Sequence, residues 1–236
     1  MSSQKMEFLF GDRVLQLCVQ DIIQAPVDVI VNPANGALVH GGALALHIQN
    51  AAGKELEQQS QILIQEHGQL ESGMAVFTSA GNLPYQAVIH AVGPRMGEGH
   101  EHSKLEQTFS RSLLLCETND WSSIAFPAIS TGVFNVPVSV CASACFKAIT
   151  HFWDARSESV VEKIVICLTE NNFKEFFDAF REESFDEAMV DAAGVDEYSN
   201  NITNHSSSSE DIIGVVDLNE HDQAVDDDDE VSDWFK

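Results

Sequence analysis

The sequence predicts a three-layer α/β/α fold over residues 1–185, with a central mixed, largely parallel sheet, and a disordered acidic tail over residues 186–236. Three observations carry this. Short apolar runs, each long enough for one buried strand, alternate with stretches of helical apolar spacing. Glycine and proline breaks separate them. After about Ser184 the alternation stops and acids dominate.

Glu7–Phe10 and Arg13–Val19 read as two strands around a Gly11-Asp12 turn. Asp21-Ile22-Ile23 leads through Pro26 into an apolar strand, Val29–Val31, which breaks at Asn32-Pro33-Ala34-Asn35-Gly36. Beyond the pair Gly41-Gly42, Ala43–Ala52 and Glu55–Glu66 have helical spacing, with Gly53 as the break. Met74–Thr78 and Ala87–Val92 are strands, the second ended by Gly93-Pro94. His100-Glu101-His102 reads as a solvated loop, and Ser103 as the cap of a helix running to about Asn119. Ile124–Phe126 is a buried strand, and Pro127–Asn135 a loop. Pro137 opens a helix to about Asp154. Lys163–Leu168 is the last strand and Phe173–Arg181 the last helix.

Charge is unevenly distributed. The chain carries 37 acids against 12 Lys and Arg, a formal net charge of -25. Residues 186–236 hold 16 of those acids and one base, leaving the body moderately acidic. Such a surface does not suit duplex nucleic acid, which requires clustered cations. The tail, with four serines at Ser206–Ser209 and the acidic run Asp226–Glu230, cannot bury enough apolar surface to offset its ordering entropy. The five cysteines are odd in number, lack a CxxC and lie mostly in apolar runs, which points to buried thiols in a reducing compartment. Cys141 and Cys145 are one helical turn apart, yet no second ligand pair accompanies them, so no metal is expected. MSSQKMEF has no signal-like apolar core, and no apolar run approaches the roughly 20 residues of a membrane helix, so neither membrane nor secretion is expected.

In a parallel sheet, ligands sit beyond the carboxyl ends of the strands. The loops there are Asn32–Gly42 and Ser130–Asn135, the two most glycine-bearing polar segments of the body. A P-loop, a GxGxxG fingerprint and a GxSxG elbow are all absent. What remains are His40-Gly41-Gly42-Ala43 and Ser130-Thr131-Gly132-Val133-Phe134, each able to turn backbone N–H groups onto a diphosphate. A Cβ there would hold the oxygen away or block the needed dihedral. Two adjacent glycines are also ordinary turn chemistry.

Four segments in order, VDVIVNPAN with HGGALAL, ESGMAVFTSAGNLPYQAVIHAVGP and IAFPAISTGVFNVP, resemble the macrodomain, an ADP-ribose-binding module, over roughly residues 10–180. Within it, HGGALALHIQNAAG and the Val136–Cys141 helix start look most like the first macrodomain of the multi-macrodomain ADP-ribosyltransferases (macro-PARPs), without their transferase domain. The resemblance implies binding roles: Asp21 and Ile22 for adenine, Asn35 for the distal ribose hydroxyls, Gly41, Gly42 and Leu44 for one face of the diphosphate. Ser130, Thr131, Gly132 and Val133 take the other face, and Phe134 packs on the distal ribose. Thr169–Asn172 would meet the outer face of adenine without an aromatic. Read singly, Asp21 is a helix cap, Asn35 a turn residue and Phe134 core; read together at matching offsets, they are ligand residues. His40 and His47 are structural.

The resemblance also implies chemistry: hydrolysis of ADP-ribose from mono-ADP-ribosylated acidic side chains, with Asn35, Gly42 and Phe134 shaping a substrate-assisted site that needs neither metal nor cofactor. Ala43 replaces a glycine common in the family, and Ala45 stands where some macrodomain hydrolases carry an aspartate. Those two residues motivate the alternative, a non-catalytic reader of ADP-ribosylated proteins. A site-less macrodomain is the third reading. Finally, Ile212, Ile213, Val215 and Val216 beside serines and acids resemble a SUMO-interacting motif, a strand added to a partner's sheet, with a chance apolar patch as the alternative. A monomer of the nucleus or cytoplasm is expected.

Overall fold

Seven strands form one sheet: β1 (Lys5–Phe10), β2 (Arg13–Val19), β3 (Val29–Ala34), β4 (Ala75–Thr78), β5 (Ala87–Val92), β6 (Ser123–Pro127) and β7 (Lys163–Leu168). Their order across the sheet is β1-β2-β7-β6-β3-β5-β4. The four inner pairings are parallel; β1 on β2 and β4 on β5 are antiparallel edges. The structure, a computed structural model, describes residues 4–193. The SUMO-motif-like segment and the acidic run lie outside the described residues.

Among the described residues, five α-helices cover the two faces. α1 (Ala43–Ala52) and α2 (Lys54–His67) pack Ile48, Ala52, Leu56 and Leu63 on one. α3 (Glu101–Thr118), α4 (Val138–Ala155) and α5 (Glu170–Ala193) cover the other with Phe109, Phe146, Phe176 and Phe180. The five middle strands are nearly devoid of solvent-exposed side chains, as their continuous apolar runs require. Cys141 and Cys145 are both fully buried in the larger core, where burial pushes their thiols up. Among the described residues no helix is long and apolar enough to cross a membrane.

Gly53 serves both α1 and α2: at φ 87 it donates to Gln49 and turns the chain between them. The ends of two helices differ from expectation. α3 starts at Glu101 rather than after Ser103, because the Glu101 carboxylate accepts the N–H groups of Gly97 (2.7 Å) and Gly99 (3.1 Å) and fixes the turn ahead of it. Glu101 and His102 are thus helical, not loop. α5 continues to Ala193, past Arg181 and past the boundary expected at residue 185.

Candidate functional site

β3 leads into α1 on one face of the sheet, and β6 leads into α4 on the other. The two connections therefore diverge, and a cleft opens between them at the carboxyl ends of the strands. It holds a cavity of about 620 Å³. All eleven residues singled out from the sequence line it, from Asp21 and Ile22 after β2, through Asn35, Gly41, Gly42 and Leu44 after β3, to Ser130–Phe134 after β6. Thr169, Asn172, Ala43 and Ala45 line it as well.

The α1 wall is a bare helix N-terminus. Gly42 is its N-cap and supplies no side-chain hydrogen bond, so the first-turn N–H groups have no partner inside the helix. At φ -80, Gly42 has an ordinary backbone, and a Cβ on Gly41, Gly42 or Gly132 would meet nothing within 4 Å. The expectation that dihedrals demand glycine is therefore not met at Gly42. Open space beside the backbone is what these glycines supply, and that space faces the cavity.

The β6 wall is a strained loop. Ser130 adopts φ 65, a left-handed conformation uncommon for a non-glycine residue. Its hydroxyl is buried and has no hydrogen-bond partner among the described residues. Thr131 Oγ1 donates to Ala128 O (2.9 Å), Asn135 N to Gly132 O (2.9 Å) and Val136 N to Ser130 O (3.0 Å), which closes the loop on itself. The N–H groups of Gly132, Val133 and Phe134 donate to no protein atom among the described residues. Bare donors thus flank the cavity from two sides, and α1 adds the positive end of its dipole.

The two ends of the cleft differ. At one, Asp21 Oδ1 accepts from Ile23 N (3.2 Å), and Oδ2 pairs with His47 Nε2 (2.8 Å). Asp21 is thus a cap, as one reading of the sequence had it, and it also faces the cavity. Towards the other end, Asn35 Nδ2 donates to Val39 O (2.6 Å), while Oδ1 accepts from Ala37 N and Val39 N (3.1 Å each). This is the turn role. One hydrogen on Nδ2 remains for a ligand. Phe134 is half-buried beneath the Arg95 guanidinium, which lies 4.3 Å from its ring centre, and its carbonyl accepts from Met96 N (2.8 Å).

With this fold and this cleft established, the comparisons decide the family. The Macro domain family model matches residues 31–145. The O-acetyl-ADP-ribose deacetylase of Escherichia fergusonii is 43% identical over 155 residues, 64% of this chain and 86% of that protein. The chain is a macrodomain. The enzyme of the same name from Salmonella typhimurium is 44% identical over 140 residues, 58% of this chain and 78% of that protein. Among solved structures, the Oceanobacillus iheyensis macrodomain with ADP superposes with a TM-score of 0.74 at 28% identity, covering 79% of this chain and 100% of that one. The likeness to macro-PARP first macrodomains finds no support among these relatives.

Several features of this macrodomain's site escape a linear reading. Gly93 looked like a strand terminator. In the fold, a Cβ there would sit 2.1 Å from Ser130 Oγ and 2.6 Å from Ile129 Cγ2, so glycine is what lets the two loops meet. His40 and His90 are joined through Asn32, whose Nδ2 contacts Nδ1 of both rings (3.2 and 3.0 Å). On their other side, the Nε2 atoms lie 3.3 Å from Ser60 Oγ and 3.0 Å from Thr78 Oγ1. Burial drives the His90 pKa down to about 3 and lowers that of His40. This buried network holds the strand end and the loop that presents Gly41. Cys167 also lines the cavity; its hydrogen bond with Cys18, followed by burial, keeps its thiol protonated. Among the described residues, Arg95 is the one cation in the lining.

Proposed function

We propose that the cleft binds ADP-ribose and that the protein hydrolyses mono-ADP-ribose from acidic side chains. The observation that carries this is the pairing of the bare α1 N-terminus with the Ser130–Phe134 loop, whose free N–H groups suit a diphosphate. β2 and β5 are four strand intervals apart, about 19 Å at ~4.8 Å per interval. Adenine at Asp21, the diphosphate between the loops and the distal ribose at Asn35 and Phe134 fit along that line.

The chemistry is substrate-assisted. Asp21 is the one carboxylate in the lining among the described residues, and it sits at the adenine end, about three strand intervals (~14 Å) from Asn35. No side chain at the distal-ribose end is placed as a base. A water held between Asn35 and the Phe134 loop gives its proton to an α-phosphate oxygen and attacks the anomeric carbon; the amino-acid carboxylate leaves with the bonding electrons. Gly42 leaves room for the phosphate, and Phe134 fixes the ribose. Positioning and oriented donors supply the rate factor in such a site. O-acetyl-ADP-ribose, named in the relatives, is also a carboxylic ester of ADP-ribose, so both substrates offer the site an ester bond.

Calorimetry with ADP-ribose, together with release of ADP-ribose from a Glu/Asp-linked mono-ADP-ribosylated protein, tests the proposal. Binding with release above buffer, lost in Asn35→Ala, supports the hydrolase. Ala43 and Ala45, both in the cavity wall, favour a second reading as a non-catalytic reader. Tight binding without release would establish that reading and end the hydrolase one.

A further inference from the structure

We infer that Arg95 forms a subsite for the polypeptide to which ADP-ribose is attached, binding the carboxylate of an acidic residue beside the modified one. The inference rests on the ADP-ribose reading above and names its substrate class.

Arg95 follows β5, at the end of the cleft opposite Asp21. It is exposed, lines the cavity, and makes a cation–π contact with Phe134, its Cζ 4.3 Å from the ring centre. Its own neighbourhood supplies an acid, yet that acid is committed elsewhere. Glu98 Oε2 accepts the backbone N–H of Arg95 (3.0 Å), and Oε1 takes the Lys104 ammonium (2.8 Å). The Arg95 N–H and then Lys104 hold the Glu98 pKa down to about 2, so it stays ionised and bound to these partners. The Arg95 guanidinium itself has no carboxylate partner among the described residues.

In a chain with 37 acids and 12 bases, an unpaired guanidinium held on an aromatic ring at a cavity mouth is a prepared anion site. The diphosphate is served by loops on β3 and β6, whereas Arg95 lies one strand further out, beyond the distal ribose. What emerges there is the acceptor. Around the same mouth, Val39, Val133 and Met96 are 65%, 82% and 56% exposed. These apolar side chains suit the flank of a polypeptide and have no counterpart in free ADP-ribose or its acetyl ester.

The test uses the full chain and two peptides carrying ADP-ribose through a non-hydrolysable linkage, one with Asp/Glu flanks and one with Ser/Gln flanks. Free ADP-ribose is the control. Wild type should bind the acidic-flanked peptide about fivefold more tightly at low salt, the upper range for an exposed charge pair, and the preference should vanish near ~0.5 M salt. Arg95→Gln should abolish the preference while leaving free ADP-ribose within about twofold; Arg95→Lys should keep part of it. A preference that survives Arg95→Gln, no preference in wild type, or equal loss of free ADP-ribose would each overturn the inference and leave the ADP-ribose reading standing. Failure of wild type to bind free ADP-ribose would instead remove that reading, and this one with it.

Discussion

Ser130→Ala should stabilise the protein and weaken its ligand, and the two effects have one cause. The Ser130 hydroxyl is buried with no protein partner. A buried polar group left unpaired costs about 1–3 kcal/mol. Alanine removes that cost, and because it bears the same left-handed strain at φ 65, the backbone contribution cancels. Losing one oxygen from the packing offsets part of the gain, so a net stabilisation of about 1 kcal/mol is expected, or ~2–4 °C in Tm for a domain of this size. On the ligand side, the hydroxyl oxygen is buried against Gly93 and meets a phosphate by turning into the cavity; a hydrogen bond made there is worth about 1.5–3 kcal/mol, roughly 10- to 100-fold in Kd. Scanning calorimetry and ADP-ribose titration of the same variant read both numbers. A lower Tm would mean that the hydroxyl has a structural partner. An unchanged Kd would mean that it never meets the ligand. Either result refutes the reasoning.

Three further outcomes follow from the geometry. Gly132→Val should fold with little change in Tm, since its Cβ meets nothing within 4 Å, yet weaken ADP-ribose at least ~10-fold by filling the space beside the loop N–H groups; circular dichroism melting and calorimetry separate the two. Gly93→Ala should destabilise by about 1–3 kcal/mol in urea titration, because its Cβ would overlap Ser130 Oγ and Ile129 Cγ2. His90 binds a proton more weakly in the fold, at about 3, than in the unfolded chain, near 6.5. Its contribution is therefore whole above pH 6.5 and lost as pH falls from there towards 3, by up to ~1.4 kcal/mol per pH unit. Against wild type, His90→Gln should flatten the urea-derived stability profile across that window.

Much of the fold was legible because its strands are buried on both faces. Ala87–Val92 and Lys163–Leu168 are apolar apart from His90 and the leading Lys163, and their ends in the sequence are their ends in the sheet. The start of α3 was not legible, because it depends on a carboxylate reaching back to two glycine N–H groups rather than on a capping serine. The apolar run predicts that β3 stops at Val31, whereas the strand continues through Pro33 to Ala34. A proline in an inner strand argues against such an extension. Its registered pairing with β6 ends at Ile30, however, and beyond that point only the β5 side is paired.

The site divides the same way. Glycines, Asp21, Asn35 and Phe134 lie in contiguous segments, so their types and offsets carry the recognition. Gly93, Arg95 and the Asn32 network acquire meaning from atoms that are remote in sequence: Gly93 from Ser130, Arg95 from Phe134, and Asn32 from His90. The sequence by itself determined the layers, the strand-end loops and the resemblance to a macrodomain, because periodicity and local turn chemistry are properties of short windows. Tertiary structure alone decided which hydroxyl is left without a partner, which glycine is sterically required and which cation stays unpaired. Each of those is a difference between what a group needs and what its neighbours supply, and the neighbours come from other strands.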